Sequence, residues 1–332
     1  MKDWHIFKDQ AAPHDGLTTL PVPPPWRKSS IDRQPLKPTA RNSDLEAEAA
    51  RGKPIRLSEP VVRAVNAALY LRRPLLITGK PGVGKSSLAY AVAYQLRMGQ
   101  VLKWPITSRS TVRSGLYEYD AVGRLQEGDQ AGALGDYIRL GPLGTALYPT
   151  DWPRVLLIDE IDKGDLDLPN DLLNILEDGH FEIPELSRAR EEVVQVKVHG
   201  SDERVEIRKG DVRCGQFPFV VMTSNGEREF PAPFLRRCIR ITIPQPSLEE
   251  LVKIVNAHIA SHLTTAPEGA LKEMVEKFIE LRATQELATD QLLSAAFLVL
   301  GDGRYDQPTA KSPDTLETFS LLVKQLSTTE ST

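Results

Sequence analysis

The sequence predicts an α/β fold: a parallel β-sheet flanked by helices, followed by a smaller C-terminal all-helical domain. Three observations carry this expectation. Short, wholly apolar runs such as Leu75 to Thr78 and Val155 to Ile158 lack polar alternation, which marks strands buried on both faces of a parallel sheet. These runs alternate with helix-periodic segments, the pattern of crossover-connected strands. After Pro246 the strand-like runs stop.

Residues 1–54 stand apart, with prolines at 13, 21, 23, 24, 25, 35 and 38 and basic residues at 27, 28, 33, 37 and 41. Proline withdraws donors from helix and sheet. The segment is expected to be a poorly ordered arm, with Val22 to Trp26 as a polyproline spacer or docking ligand, or else an arm lying over the core. From Ser58 onward Val61, Val62, Val65, Ala68 and Leu71 recur at helical spacing. Ser58 suits the N-cap, Pro60 suits the first turn, and Arg72-Arg73-Pro74 ends the helix. The apolar run from Leu75 leads through a glycine-rich turn into a helix over 86–98. Further buried strands are predicted at 101–106, 155–158, 219–223 and 238–243.

Two stretches interrupt the alternation. Residues 107–150 are polar and glycine-containing. Residues 181–210 alternate like strands around Gly200-Ser201-Asp202 and read as a projecting β-hairpin. Ser247-Leu248-Glu249-Glu250 is a capping box that opens a helix, and 267–282, 289–300 and 314–326 also read as helical. The predicted boundaries are an arm at 1–54, an α/β domain at 55–245 and a helical domain at 246–332.

Composition excludes several classes. Hydrophobic residues make up 41% and charged residues 26%, which fits neither a disordered nor a fibrous chain. With 41 basic against 45 acidic side chains the net charge is −4, without the bulk positive field of a nucleic-acid coat. Cys214 and Cys238 are too few for a disulfide framework or a four-thiolate zinc site, which fits a reducing compartment. No apolar run approaches the roughly 20 residues that span a bilayer, and Met1-Lys2-Asp3-Trp4-His5 carries no apolar signal core. A cytoplasmic protein without membrane insertion is expected. His258 and His262 have a zinc-compatible spacing, but Ile259-Ala260-Ser261 between them offers no carboxylate, so a structural or surface role is expected.

Gly79-Lys80-Pro81-Gly82-Val83-Gly84-Lys85-Ser86 matches the phosphate-binding P-loop pattern at every fixed position, and Ser87 follows it into the helix. Glycines let the backbone wrap so that N–H groups point at phosphates, and the helix adds its positive end. Lys85 can reach the β- and γ-phosphates, and the Ser86 hydroxyl can ligate Mg²⁺. Val155 to Ile158 ends in Asp159 and Glu160, adjacent carboxylates at a strand end that repel each other and call for a cation. Asp159 is placed to hold the Mg²⁺ shell, and Glu160 to polarise an attacking water.

With these motifs the chain resembles the AAA+ ATPases, and within them the MoxR-like group, from about Pro54 into the helical domain. Gly141-Pro142-Leu143-Gly144-Thr145-Ala146-Leu147 and the run from Asp159-Glu160-Ile161-Asp162-Lys163 to Phe181-Glu182-Ile183-Pro184 carry the similarity further. The resemblance implies an AAA+ core with a C-terminal helical lid, ATP and Mg²⁺ as cofactors, and hydrolysis in a homo-oligomeric, hexameric ring. It makes the 107–150 and 181–210 insertions pore-facing elements. It assigns Asn225, which ends Val220-Val221-Met222-Thr223-Ser224-Asn225, as a first sensor. It assigns Arg237, in Phe234-Leu235-Arg236-Arg237-Cys238, as an arginine finger acting on the neighbouring subunit, with Arg236 as second candidate. It implies a separate protein partner, such as a von Willebrand A-type protein, that the ring remodels or activates.

The sequence departs from the family where a basic second sensor is expected. Gln285-Glu286-Leu287 offers no cation, and Arg282 stands out of register. This leaves a second reading, a slowly turning nucleotide-gated switch or scaffold in bacterial signalling or defence. A third is a nucleic-acid-associated NTPase. Its basic residues at 27–41 and 197–213 alternate with acids, so a solvated hairpin is expected instead.

Overall fold

Five apolar runs form one parallel sheet. The computed structural model describes residues 4–9, 12–25, 57–128, 132–259, 269–283, 287–300, 319–320 and 323. By contacts the chain divides into two units, one of residues 1–78 and 86–242, the other of 79–85 and 243–332.

In the first unit the helix α1 (Glu59–Leu71) ends at Arg72, whose left-handed backbone turns the chain into β1 (Leu75–Thr78). The helix α2 (Ser87–Gln95) and the strand β2 (Val101–Pro105) follow. Residues 107–150 fold as α3 (Val112–Leu116), β3 (Tyr117–Tyr119), α4 (Ala121–Glu127), β4 (Ile138–Leu140) and α5 (Pro142–Leu147). Then come β5 (Val155–Asp159), α6 (Leu168–Asp178), β6 (His180–Glu182), α7 (Pro184–Ser187), β7 (Val193–Lys197), β8 (Arg204–Arg208) and β9 (Asp211–Arg213). The unit closes with β10 (Phe219–Ser224), α8 (Ala232–Arg237) and β11 (Ile239–Thr242).

The parallel sheet has the order β11-β1-β10-β5-β2. Its three central strands are the most apolar: Leu75, Ile77, Val155 to Ile158, Val221 and Met222 have no more than trace exposure. Each such side chain removed from water contributes about 1.5–3 kcal/mol, so the most apolar runs take the centre. The register aligns Thr78 with Ser224 and Met222 with Ile158, so the strand ends that carry Asp159, Thr223 and Ser224 share one edge. The runs at 101–106 and 238–243, expected to be buried on both faces, instead form the two outer strands. They alternate there, with Lys103, Pro105, Arg240 and Thr242 exposed, because successive side chains point to opposite faces and in these outer strands only one face is packed.

The expected projecting hairpin is real but does not stand free. β7 and β8 pair antiparallel from Val193–Arg208 to Lys197–Arg204, and they lie inside a six-stranded sheet ordered β3-β4-β7-β8-β9-β6. Val196 and Ile207 are buried in the same core as Leu140, Leu147 and Leu176. The alternation that predicted the strands is what buries one of their faces.

In the N-terminal arm, residues 4–9 and 12–25 follow the reading of an arm that lies over the core. Ile6, Phe7 and Leu17 are buried. Asn66 of α1, itself fully buried, accepts from the Ile6 and Phe7 amides at 2.8 and 3.0 Å and donates to the Phe7 carbonyl at 2.8 Å. Gln95 of α2 accepts from the Lys8 amide and donates to its carbonyl, at 2.8 and 2.6 Å. Two amide side chains thus supply backbone partners to residues 6–8, which belong to no helix or strand. Trp26 and the prolines at 35 and 38 lie outside the described residues.

The second unit contains the helices α9 (Leu248–Ile259), α10 (Ala270–Arg282) and α11 (Thr289–Leu300). The capping box forms: the Ser247 amide donates to Glu250 at 2.8 Å and the Glu250 amide to Ser247 Oγ at 3.3 Å. Leu251, Val255, Met274, Val275, Phe278, Leu292 and Ala296 build its core, joined by Phe319 and Val323 from the 314–326 stretch. An α/β unit with a C-terminal helical unit is the predicted fold class.

Candidate active site

The phosphate-loop residues Gly79 to Lys85 run from the end of β1 to Ser86, the N-cap of α2. Two glycines there satisfy strict requirements. Gly84 has φ +86 and Gly82 has φ +73, the left-handed region that only glycine enters cheaply. At Gly82 a Cβ would also lie 2.5 Å from the Thr289 amide nitrogen and 2.7 Å from Ala288 Cβ. Lys85 is 7% exposed, and its ammonium donates to the Gly79 and Lys80 carbonyls at 2.7 and 2.9 Å, so a nearly buried lysine is held by the loop it belongs to.

Ser86 and the ends of β5 and β10 meet at Asp159. Its Oδ1 accepts from Ser86 Oγ and from Thr223 Oγ1, each at 2.7 Å, and its Oδ2 pairs with Lys103 Nζ at 3.0 Å. Burial alone would raise the Asp159 carboxyl pKa. The hydrogen bonds from Ser86, Thr223 and Lys103 outweigh burial and hold it below the usual carboxylate value. The donor set fits Mg²⁺: a hydroxyl and an ionised carboxylate oxygen, both hard ligands, converge on one point, which suits an ion that takes one or two carboxylates and completes its shell with water and phosphate oxygens.

Glu160 sits one residue past the strand with φ +59 and ψ +51, a left-handed conformation that costs a non-glycine residue about a kcal/mol or more. Its amide donates to Thr223 Oγ1 at 2.9 Å, so one threonine hydroxyl ties together both acidic residues. Its carboxylate is held by Lys163 Nζ at 2.8 Å and by Asn225 Nδ2 at 3.4 Å. Pairing with Glu160 raises the Lys163 ammonium above its ordinary value.

Beneath these groups lies Asp162, 3% exposed, whose Oδ2 accepts from Ser224 Oγ at 2.9 Å and from the amides of Asn225 and Glu227 at 2.9 and 3.1 Å. Asp162 thereby fixes the turn after β10 against the turn after β5, which is what brings Asn225 to Glu160. Sequence reasoning assigned no role to Asp162, Thr223, Lys163 or Lys103. The polar end of the Val220 to Asn225 run pointed toward Thr223, whereas nothing in Val-Leu-Lys-Trp-Pro distinguishes Lys103 from a solvated edge lysine.

Arg236 and Arg237 do not join this cluster within the chain. The ion pairs of Asp159 and Glu160 go to Lys103 and Lys163, while Arg237 Nε pairs with Glu177 of α6 at 2.7 Å. Arg236 Nε donates to the Ala232 carbonyl at 3.3 Å. Arg282 lies in the second unit, where it donates to the Pro246 carbonyl at 3.2 Å and stacks over Phe278 at 5.8 Å. Residues 285 and 286 lie outside the described residues.

Among the described residues no group of three or more His, Cys, Asp and Glu side chains forms a metal cluster. His258 Nδ1 lies 2.8 Å from the Ile254 carbonyl of its own helix, and His262 lies outside the described residues. Cys238 is buried and its thiol is pushed up to about 12 by burial, which leaves it unreactive. No helix among the described residues is long and apolar enough to cross a membrane. In the 197–213 stretch, Lys197, Arg204, Arg208 and Arg213 pair with Asp202, Asp136, Glu192 and Asp211.

Residues 74–237, just under half of the chain, match the family model of the AAA domain in its dynein-related subfamily. The matched stretch runs from β1 through the phosphate loop, β5 and β10 to α8. Comparison with curated proteins gives no match.

Proposed function

We propose that this chain, whose residues 74–237 are similar to an AAA domain, binds ATP with Mg²⁺ and hydrolyses it to ADP and phosphate. The observation that carries the reading is the convergence of Ser86 and Asp159, 2.7 Å apart, with Glu160 held one residue further along by Asn225 and Lys163. In the proposed reaction the loop amides from Gly79 to Ser87 and the Lys85 ammonium bind the phosphates. Ser86 and Asp159 would hold Mg²⁺, which when bound would neutralise charge on the phosphate oxygens. Glu160 accepts a proton from the attacking water at a carboxylate oxygen, and Asn225 orients that carboxylate.

We further propose a MoxR-like homo-oligomeric ring in which Arg237 serves the neighbouring subunit's site. The pairing of Arg237 with Glu177 within its own chain supports this, because the chain's own acidic pair is already matched by Lys103 and Lys163. The work of such a ring is the remodelling or activation of a separate protein, for which a von Willebrand A-type domain is the expected class.

A nucleotide-gated switch is the second reading, favoured by one observation: Arg282, the nearest basic residue to the expected second sensor, is engaged with Pro246 and Phe278. ATP turnover measured across protein concentration, for wild type and Glu160→Gln, tests the proposal. Turnover that rises with concentration and vanishes in the variant supports the hydrolysing ring. No wild-type turnover at any concentration, with nucleotide still bound, transfers the function to the switch.

A further inference from the structure

One charged group at the site has no part in the reaction just described. Lys103 lies on the outer strand β2, 48% exposed, and its ammonium is 3.0 Å from Oδ2 of Asp159, whose other oxygen faces Ser86 and Thr223. The remaining polar groups on Asp159 are neutral hydroxyls, so Lys103 is the one cation paired with this carboxylate among the described residues.

We infer that Lys103 is a resident counter-ion of Asp159 that competes with Mg²⁺ for it, and so sets the Mg²⁺ concentration at which nucleotide loads. The inference rests on the proposed Mg²⁺ site and deepens it. Two cations sharing one carboxylate repel, so a divalent ion held at Ser86 and Asp159 displaces the ammonium. Lys103 can leave at little cost. It stands on an edge strand, half in solvent, with a flexible four-carbon stem and a strongly hydrated head. Asp159, in contrast, is fixed by two hydroxyl donors and stays in place when the lysine withdraws. Lys103 is therefore a positioning residue that acts through Asp159, and it touches neither nucleotide nor water in the reaction. Without it, Oδ2 carries no resident cation and less Mg²⁺ is needed.

The test is a Mg²⁺ titration of mant-ATP fluorescence on the full chain at 4 °C, pH 8, for wild type, Lys103→Met and Lys103→Arg. The methionine keeps the apolar stem and removes the charge. An exchange of one partly exposed ion pair predicts a midpoint lower by about threefold in Lys103→Met. Lys103→Arg, which keeps the charge, stays within about twofold of wild type. An unchanged or higher midpoint in Lys103→Met overturns the inference, as does an equal fall in both variants, which would assign the effect to the stem. If wild type binds mant-ATP with no response to Mg²⁺, the metal site itself fails and the inference fails with it. A Mg²⁺-dependent wild type with an unmoved Lys103→Met leaves the metal site standing and removes only the role of Lys103.

Discussion

The Ser86 hydroxyl donates to Oδ1 of Asp159 at 2.7 Å across 73 residues of chain. This contact joins the first turn of the helix after β1 to the end of β5, two strands that are not neighbours in the sheet. The intervening strand, β10, supplies Thr223 to the same oxygen, so three strands converge on one carboxylate.

That carboxylate should leave a mark on acid stability. Its pKa is depressed in the folded chain, so between the folded and unfolded values the unfolded chain binds more protons and stability rises with pH. The contribution is present above an unfolded value near 3.8 and is lost as pH falls through the lower folded value. Urea unfolding followed from pH 6 downward should show a steeper loss in wild type than in Asp159→Asn, and parallel curves would count against the assignment.

Glu160→Gln keeps the size and the Asn225 contact but cannot take a proton. Turnover should fall by roughly 10²-fold or more while mant-ATP affinity stays within about threefold. Equal losses in both would mean that Glu160 holds the nucleotide instead of activating water.

The placement of Arg237 on Glu177 makes a prediction about mixtures. Arg237→Ala chains retain an intact phosphate loop, and Lys85→Ala chains retain an intact finger. Each alone should be nearly inactive, whereas a mixture should recover a measurable fraction of wild-type turnover at the junctions that combine a sound site with a sound finger. A mixture no more active than its components excludes action on a neighbour.

Asp162 accepts three hydrogen bonds at 3% exposure, so Asp162→Ala strands Ser224 and the amides of Asn225 and Glu227. The expected cost is about 3 kcal/mol in urea unfolding, with turnover reduced even where the protein remains folded, because Asn225 loses its anchor. Full stability in this variant would show that the two turns are held by other contacts.

Asn66 tests the N-terminal strap. Replacing it by alanine removes the partners of Ile6 and Phe7, and the loss should be about 2–3 kcal/mol. Limited proteolysis should then cleave within residues 4–20 faster than in wild type, and an unaltered digestion pattern would argue against the strap.

The local signals in this chain were read from neighbours in sequence. The phosphate loop, the apolar strand ending in Asp159 and Glu160, the capping box at Ser247 and the alternation of strands 193–208 all depend on residues a few positions apart, whose geometry is set by backbone preference and side-chain period. Tertiary structure decided the rest. It placed 101–105 and 239–242 at the sheet edges, laid the N-terminal arm on Asn66 and Gln95, built the hairpin into a second sheet, and delivered Lys103, Thr223 and Asp162 to the acidic strand end. Each of these outcomes depends on strand order and register, which bring together residues tens of positions apart. A lysine on an edge strand reads the same in sequence whether it faces water or, 3.0 Å away, the carboxylate of Asp159.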